Sequence, residues 1–501
     1  MDLETKTVLC PEIVFSQTKE QSIDTDLLLP DYYPEISKLL DCSVTLREEA
    51  VTVTADKISI AGAACVRLLY ASAENTLKTY EVITKYTKLI SGAGFETGDV
   101  CIVRQNPASL NYRAVSPRKV EVRAVVAVKA ELIRLRQFSY ICDLIDPNVQ
   151  KRPVTKECFS VGALSVLRFE FSDKISLPVP RQKIGGIVRA QVRLQFSDVR
   201  SAHHKLMLGG AAEISFVYLT EQNTVSAEQT VNLPFTQICE LYGAEEGDRC
   251  CVGLTYADID IDLKNASCGE NEAQVRICAS AAVVAGRPSQ LSFVADAYSL
   301  RENLNLQTQA AGIVQNAPLF TDVIPVAGEF SSIDMQIADV YAPCVADVSF
   351  NVTQEENALT VHGSYTLKLM ANTSDGACYC FSRSFAFEHV CRTEQKAFAA
   401  AVCVCPHTVR AEKGTDGVLR FSGELRLSGF ALTGETTSLL TGCEPGEALA
   451  DVNEKIVLYY AEKGESAWQI AKENQTAFNS LMELNALKNE TLSESKMLVF
   501  H

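Results

Sequence analysis

Apolar and polar residues alternate with a period of two through most of the chain. Val51-Thr-Val-Thr54, Glu121-Val-Arg-Ala-Val-Val126 and Leu419-Arg-Phe-Ser-Gly-Glu-Leu-Arg-Leu427 each place one set of side chains on one face of a strand. Clusters such as Thr373-Ser-Asp-Gly376 and Gly414-Thr-Asp-Gly417 separate such runs as turns. Helical periodicity is scarce before residue 460. The pattern therefore predicts a mainly β chain.

The pattern also repeats. Ile58-Ser-Ile-Ala-Gly62-Ala-Ala-Cys-Val-Arg-Leu-Leu-Tyr70 is echoed by Leu206-Met-Leu-Gly-Gly210-Ala-Ala-Glu-Ile-Ser-Phe-Val-Tyr218 and by Leu359-Thr-Val-His-Gly363-Ser-Tyr-Thr-Leu-Lys-Leu-Met370. Downstream, Gly94-Phe-Glu-Thr-Gly98-Asp99 matches Gly243-Ala-Glu-Glu-Gly247-Asp248, and each copy ends in another alternating run. A period of about 150 residues indicates duplicated domains rather than a short solenoid repeat. The reading is three β-sandwich-like domains in tandem, over residues 1–155, 156–315 and 316–450, the third most divergent. A lead-in segment, Ile23-Asp-Thr-Asp-Leu-Leu-Leu-Pro30-Asp-Tyr-Tyr-Pro34, precedes the first copy, with a weaker echo over Phe171–Ile187. Its prolines suggest an extended arm leading into a turn of helix.

From residue 451 the period changes. Ile456-Val-Leu-Tyr-Tyr460 reads as a strand and Glu462-Lys-Gly464 as a turn. Ser466-Ala-Trp-Gln469 has capping-box spacing. Ala467, Ile470 and Ala471 share one helix face, and Phe478, Leu481 and Met482 form the stripe of a second helix that Asn485 ends. Lys496-Met-Leu-Val-Phe500 closes as a strand, giving a small α+β (βααβ) module over residues 451–501.

Composition narrows the function classes. The chain has 501 residues, 47% hydrophobic and 22% charged, with 62 acidic and 46 basic residues and a formal net charge of −16. A diffuse acidic balance argues against nucleic acid and against anionic membrane surfaces, both of which need a positive footprint. Asp2 and Glu4 stand where a signal peptide carries positive charge, and apolar runs such as Ala124–Ala130 are short, so neither classical export nor membrane insertion is expected. The 18 cysteines are scattered, as reduced and mostly buried thiols of a cytosolic chain would be.

No phosphate-binding loop, nucleophile elbow or His-Glu-x-x-His motif is present, so the chain reads as non-enzymatic with no cofactor. Asp258, Asp260 and Asp262 read as a solvated strand face. Cys378-Tyr-Cys380, His389-Val-Cys391 and Cys403-Val-Cys405-Pro-His407 could gather soft ligands on neighbouring strands, but the spacing is not a zinc knuckle and small core thiols are the preferred reading. His203-His204 reads as a solvent-exposed pair without a third ligand. Trp468, the single tryptophan, is either a half-buried core aromatic or an exposed interface anchor.

Tyr460-x-x-x-Gly464-Glu-Ser-x-Trp468-x-Ile470-Ala471, followed by Leu484-Asn485-x-Leu487, resembles the LysM family across the whole module. That family closes with Gly-Gln-x-Leu-x-Ile-Pro, whereas this chain has Ser495–Phe500 without a proline, a departure at the usual glycan groove. Tandem β-rich domains with a Leu29-Pro30-Asp31 lead-in and a terminal LysM module resemble the SipL family of clostridial spore-coat morphogenetic proteins, counterparts of SpoVID. The resemblance implies a scaffold made in the mother-cell cytoplasm that works at the forespore surface or spore coat. Its LysM module would bind the coat basement-layer ATPase SpoIVA, and its β-rich repeats would self-associate or meet other coat proteins. Tyr460, Gly464, Glu465, Ser466, Trp468, Ile470, Leu484 and Asn485 would shape or support the docking surface. The alternative is a peptidoglycan-binding protein that takes N-acetylglucosamine in the LysM groove.

Overall fold

The computed structural model describes residues 2–176, 184–220, 225–226, 228–262, 272–330, 337–373, 378–414, 418–449 and 456–500. The turn clusters at 374–377 and 415–417, residues 177–183 of the second lead-in segment and the junction at 450–455 lie outside these residues.

Strands dominate and fall into three groups of the same plan. The first contains β1 (Asp2–Leu28), β2 (Ile36–Thr54), β3 (Lys57–Ser72), β4 (Leu77–Ser91), β5 (Val100–Ser116) and β6 (Lys119–Ile145). The second contains β7 (Val149–Ser176), β8 (Ile184–Ala202), β9 (Lys205–Thr220), β10 (Gln229–Glu240), β11 (Arg249–Asp262) and β12 (Glu272–Ser299). In the third, the first strand is broken at Ala317-Pro318 into β13 (Glu302–Asn316) and β14 (Leu319–Phe330). There follow β15 (Ile337–Gln354), β16 (Ala358–Thr373), β17 (Cys378–Arg392), β18 (Lys396–Lys413) and β19 (Leu419–Ala448). The joins between groups are short, at 146–148 and 300–301, where Asp146-Pro147-Asn148 supplies a tight turn.

Each group builds two antiparallel sheets. One sheet has the last strand between the first and the fifth, as in β1-β6-β5 and β7-β12-β11; the other is a meander, as in β2-β3-β4 and β8-β9-β10. The period-two alternation directs one face of each sheet onto a common core. In the first unit that core joins Ile23 and Leu27 of β1, Val44 of β2, Ile58 and Ile60 of β3, and Val122 and Val126 of β6.

The repeated glycines have a steric cause. A Cβ on Gly210 would stand 2.0 Å from the Gln195 carbonyl oxygen, and one on Gly363 would stand 2.0 Å from the Ser349 oxygen. In each unit the meander's central strand carries this glycine opposite a register shift in the preceding strand, at Glu48/Ala50, Phe196/Asp198 and Ala346/Ser349. The bulged backbone bends onto the site where a side chain would be. The later motif is likewise structural. Asp99 Oδ2 and Asp248 Oδ2 accept the backbone N–H of Glu96 and Glu245, at 2.8 and 2.9 Å. Arg134 pairs with Asp99 at 2.7 Å and Arg287 with Asp248 at 2.7 Å. Hydrogen bonds from Arg134 hold the Asp99 carboxyl below its ordinary range.

The long first and last strands run past their sandwiches and pack on those of the other units. Cys10, Phe138 and Tyr140, then Cys158, Leu291 and Phe293, then Ala311, Ile313 and Leu439 form one core drawn from all three groups. Ile133, Val161, Ala282, Val314 and Phe430 belong to a second such core. Partly buried ion pairs add to the junctions: Arg47 meets Asp258 at 2.7 Å and Lys368 meets Asp41 at 3.0 Å. Asp258 is thus not on a solvated face as its spacing suggested; it is 8% exposed and joins the second unit to the first. The three units line a half-open cleft of about 390 Å³, bordered among others by Asp41, Arg189, Arg193, Lys368 and His407. Within it Arg193 engages Glu213 and His407, and Arg189 pairs with Glu228 at 3.3 Å.

The lead-in segment differs from expectation. Residues 23–28 continue β1, and Tyr33 N–H donates to Pro30 O to close a turn rather than a helix. Arg118 donates to the Pro30 and Tyr33 carbonyls, each at 3.2 Å, so a guanidinium satisfies groups that a helix would have bonded itself. No described helix is long and apolar enough to cross a membrane.

Candidate functional site

After residue 455 the chain forms β20 (Val457–Ala461), α1 (Ala467–Glu473), α2 (Phe478–Leu484) and β21 (Lys496–Phe500). β20 and β21 pair antiparallel, with Tyr460 opposite Met497 and Leu458 opposite Val499. One face of this two-stranded sheet covers the helices through Leu498 and Phe500, which pack with Ala467, Ile470, Ala471 and Leu481. The helices follow the expected 3.6-residue spacing, but the expected capping box is absent. Ser466 is the N-cap without a side-chain cap bond; its hydroxyl donates to Glu490 Oε1 at 3.2 Å. Gln469 does not reach back but donates to Glu473 at 2.8 Å. A β-bridge between Ser466 and Thr491 draws Glu490 into reach and outcompetes the local cap.

The candidate docking residues separate into two sets. Ile470, 2% exposed, belongs to the module's core. Asn485 fastens β21 to α2: its Nδ2 donates to Leu481 O and Val499 O at 2.9 and 2.7 Å, and its Oδ1 accepts from Val499 N–H at 2.7 Å. Gly464 turns the chain at φ 96°, and the Glu465 carboxylate accepts from Glu462 N–H at 3.0 Å within the same turn. These residues and Ser466 hold the scaffold. Tyr460, 63% exposed, and Leu484, 54% exposed, are presented outward. Leu458 and Met497 lie beside Tyr460 on the outer sheet face at 65% and 51% exposure, so this face is an apolar patch that composition did not reveal.

Trp468 is an interface residue, but the interface is within the chain. The indole is 5% exposed and meets Tyr298 of β12 edge-on, with centroids 5.1 Å apart. Its N–H donates to Asp296 Oδ2 at 2.9 Å, and Lys472 donates to the other oxygen at 2.6 Å. Tyr298 Oη donates to Thr476 O at 2.7 Å, Gln150 accepts from Phe478 N–H at 3.3 Å, and Arg152 pairs with Glu490 at 2.8 Å. The module is therefore seated on the far end of the β7–β12 ribbon. Asp296 and Tyr298 lie two apart on β12, and nothing in the sequence joins them to a helix some 170 positions later.

The three Cys/His runs do not gather into one soft-ligand cluster. Cys378 and Cys380 open β17 while His389 and Cys391 close it, and Cys403, Cys405 and His407 lie on β18 in the other sheet. Cysteine burial follows expectation in kind: burial pushes the Cys42 and Cys101 thiols up to about 12. His203 is solvent-exposed as expected, but a third group stands beside it: Glu245 approaches its Nδ1 at 2.9 Å.

Three sandwiches of one strand plan with shared junctions and a seated α+β module define a mainly β, tandem-sandwich protein. Within that class, residues 183–264, in the second unit, match the family model described as SipL, SPOCS domain, which supports a SipL-like, sporulation-related protein. No curated protein and no solved structure matches the chain.

Proposed function

We propose that this chain is a non-enzymatic adaptor of spore-coat assembly, acting from the mother-cell cytoplasm at the forespore surface. The observation that carries the reading is the SPOCS match on the second unit, whose strand plan recurs in the first and third. Three joined sandwiches supply a frame with surface for self-association or other coat proteins. The C-terminal module, LysM-like in its residue pattern, selects a SpoIVA-type coat ATPase through the outer β20/β21 face and Leu484. Trp468 serves in seating the module, not in meeting the partner. Several modest contacts on one frame bind a polymeric layer strongly through effective concentration.

Tyr460→Asp and Leu484→Asp change exposed positions and leave the core intact. Each is expected to weaken capture of the ATPase about tenfold or more in a pull-down with full-length protein, the scale of losing one apolar anchor. Retention on insoluble peptidoglycan without ATPase capture would replace this reading with a glycan-binding one.

A further inference from the structure

The structure brings Asp322 of β14 together with His389 and Cys391 of β17. These strands are edge strands of the two sheets of the third unit. His389 Nε2 lies 3.1 Å from Asp322 Oδ2, and Cys391 Sγ lies 3.7 Å from the same oxygen. The three donor atoms are all within 4.8 Å of one another. Tetrahedral zinc, with bonds near 2.0–2.3 Å, requires roughly 3.3 Å between nitrogen and oxygen donors and roughly 3.6 Å between sulfur and oxygen. Two of the three separations thus already suit one ion, and the third lies within 4.8 Å.

Its position argues in the same direction. His389 and Cys391 are two apart on one strand, so they share a face. The Cys391 residue is 2% exposed, while the Asp322 side chain is 42% exposed and leaves a solvent path for a fourth ligand. By register the corresponding residues are Gln21, Lys88 and Ile90 in the first unit and Phe169, Gln237 and Cys239 in the second. Neither set offers three ligands. In the first unit Lys88 Nζ bridges the same two edges by donating to Glu20 O at 2.6 Å.

We propose that Asp322, His389 and Cys391 bind a zinc ion, with water as the fourth ligand, and that the ion staples the open edge of the third sandwich. Binding releases the Cys391 thiol proton to solvent, leaving a thiolate as ligand. The test is cobalt(II) titration of the reduced, chelator-treated full-length protein, followed by zinc competition. One equivalent is expected to give a thiolate-to-cobalt charge-transfer band that zinc abolishes. Cys391→Ser and His389→Gln, checked for native circular dichroism, should lose that band, and Asp322→Asn should weaken binding at least tenfold. No such band in the native chain, or an unchanged band in His389→Gln, would overturn the proposal. Cobalt absorption lacking the sulfur band would also overturn it, and would point to His203, His204 and Glu245, which also lie within ligand reach of one another.

Discussion

Gly210→Ala is expected to destabilise the second unit by about 3 kcal/mol, the upper end for forcing extra volume into packed structure. The new methyl would stand 2.0 Å from the Gln195 carbonyl oxygen and 3.2 Å from Phe196 Cα, so backbone rather than a side-chain tip must move. Gly363→Ala meets the Ser349 oxygen at the same 2.0 Å and should behave alike. Gly62→Ala should cost less, because the backbone atom it meets, the Arg47 carbonyl oxygen, stands 2.9 Å away rather than 2.0 Å, and its neighbours at 2.7 Å are the end of the Tyr86 ring and hydroxyl. Gly98, with nothing within 4 Å, is the control, and its alanine variant should stay within about 0.5 kcal/mol of the native chain. Urea midpoints read by circular dichroism rank the four. Equal midpoints for Gly210→Ala and Gly98→Ala would show that the bulge does not dictate the repeated glycine.

Trp468→Ala is expected to remove about 3–5 kcal/mol from the seated module, the usual loss for a buried large aromatic. That substitution also damages the module's own core, since Trp468 packs on Phe478 at 5.4 Å. Asp296→Ala separates the two effects because it lies on the β12 ribbon. It strips the indole N–H and Lys472 of their shared carboxylate, where hydrogen bonds to a charged group are worth about 1.5–3 kcal/mol. Trp468 is the only tryptophan, so its emission reports this interface alone. Asp296→Ala and Tyr298→Ala should red-shift the emission and make it more quenchable by acrylamide, while the far-ultraviolet spectrum stays native. Unchanged emission in both would mean that the module is not seated on the second unit in solution.

Much of the fold was legible because its signals are local. Period-two alternation marked the strands, and Gly62, Gly210 and Gly363 marked the repeat because one steric constraint operates three times. The four elements of the C-terminal module followed from a change in period and from Asn485. What was not legible depends on contacts distant in sequence. Ser466 gave up a cap for Glu490, Asp258 left the solvated face for Arg47, and Trp468 found Asp296 on another unit. The Cys/His runs do not gather into one cluster, because strand proximity in sequence does not decide which sheet a strand joins. Asp322, which does approach His389 and Cys391, had no motif to announce it. Tyr460 and Leu484 remained candidates, but only burial distinguished them from Ile470 and Asn485.

The most direct measurement is amide hydrogen exchange of the full-length protein, alone and mixed with the SpoIVA-type ATPase. Added protection confined to residues 456–460, 484–487 and 496–500, with residues 296–300 and 467–473 unchanged, is the expected result. No added protection anywhere in the module, or loss of protection at 296–300 as Trp468 leaves its seat, would contradict an adaptor that meets its partner through the outer β20/β21 face.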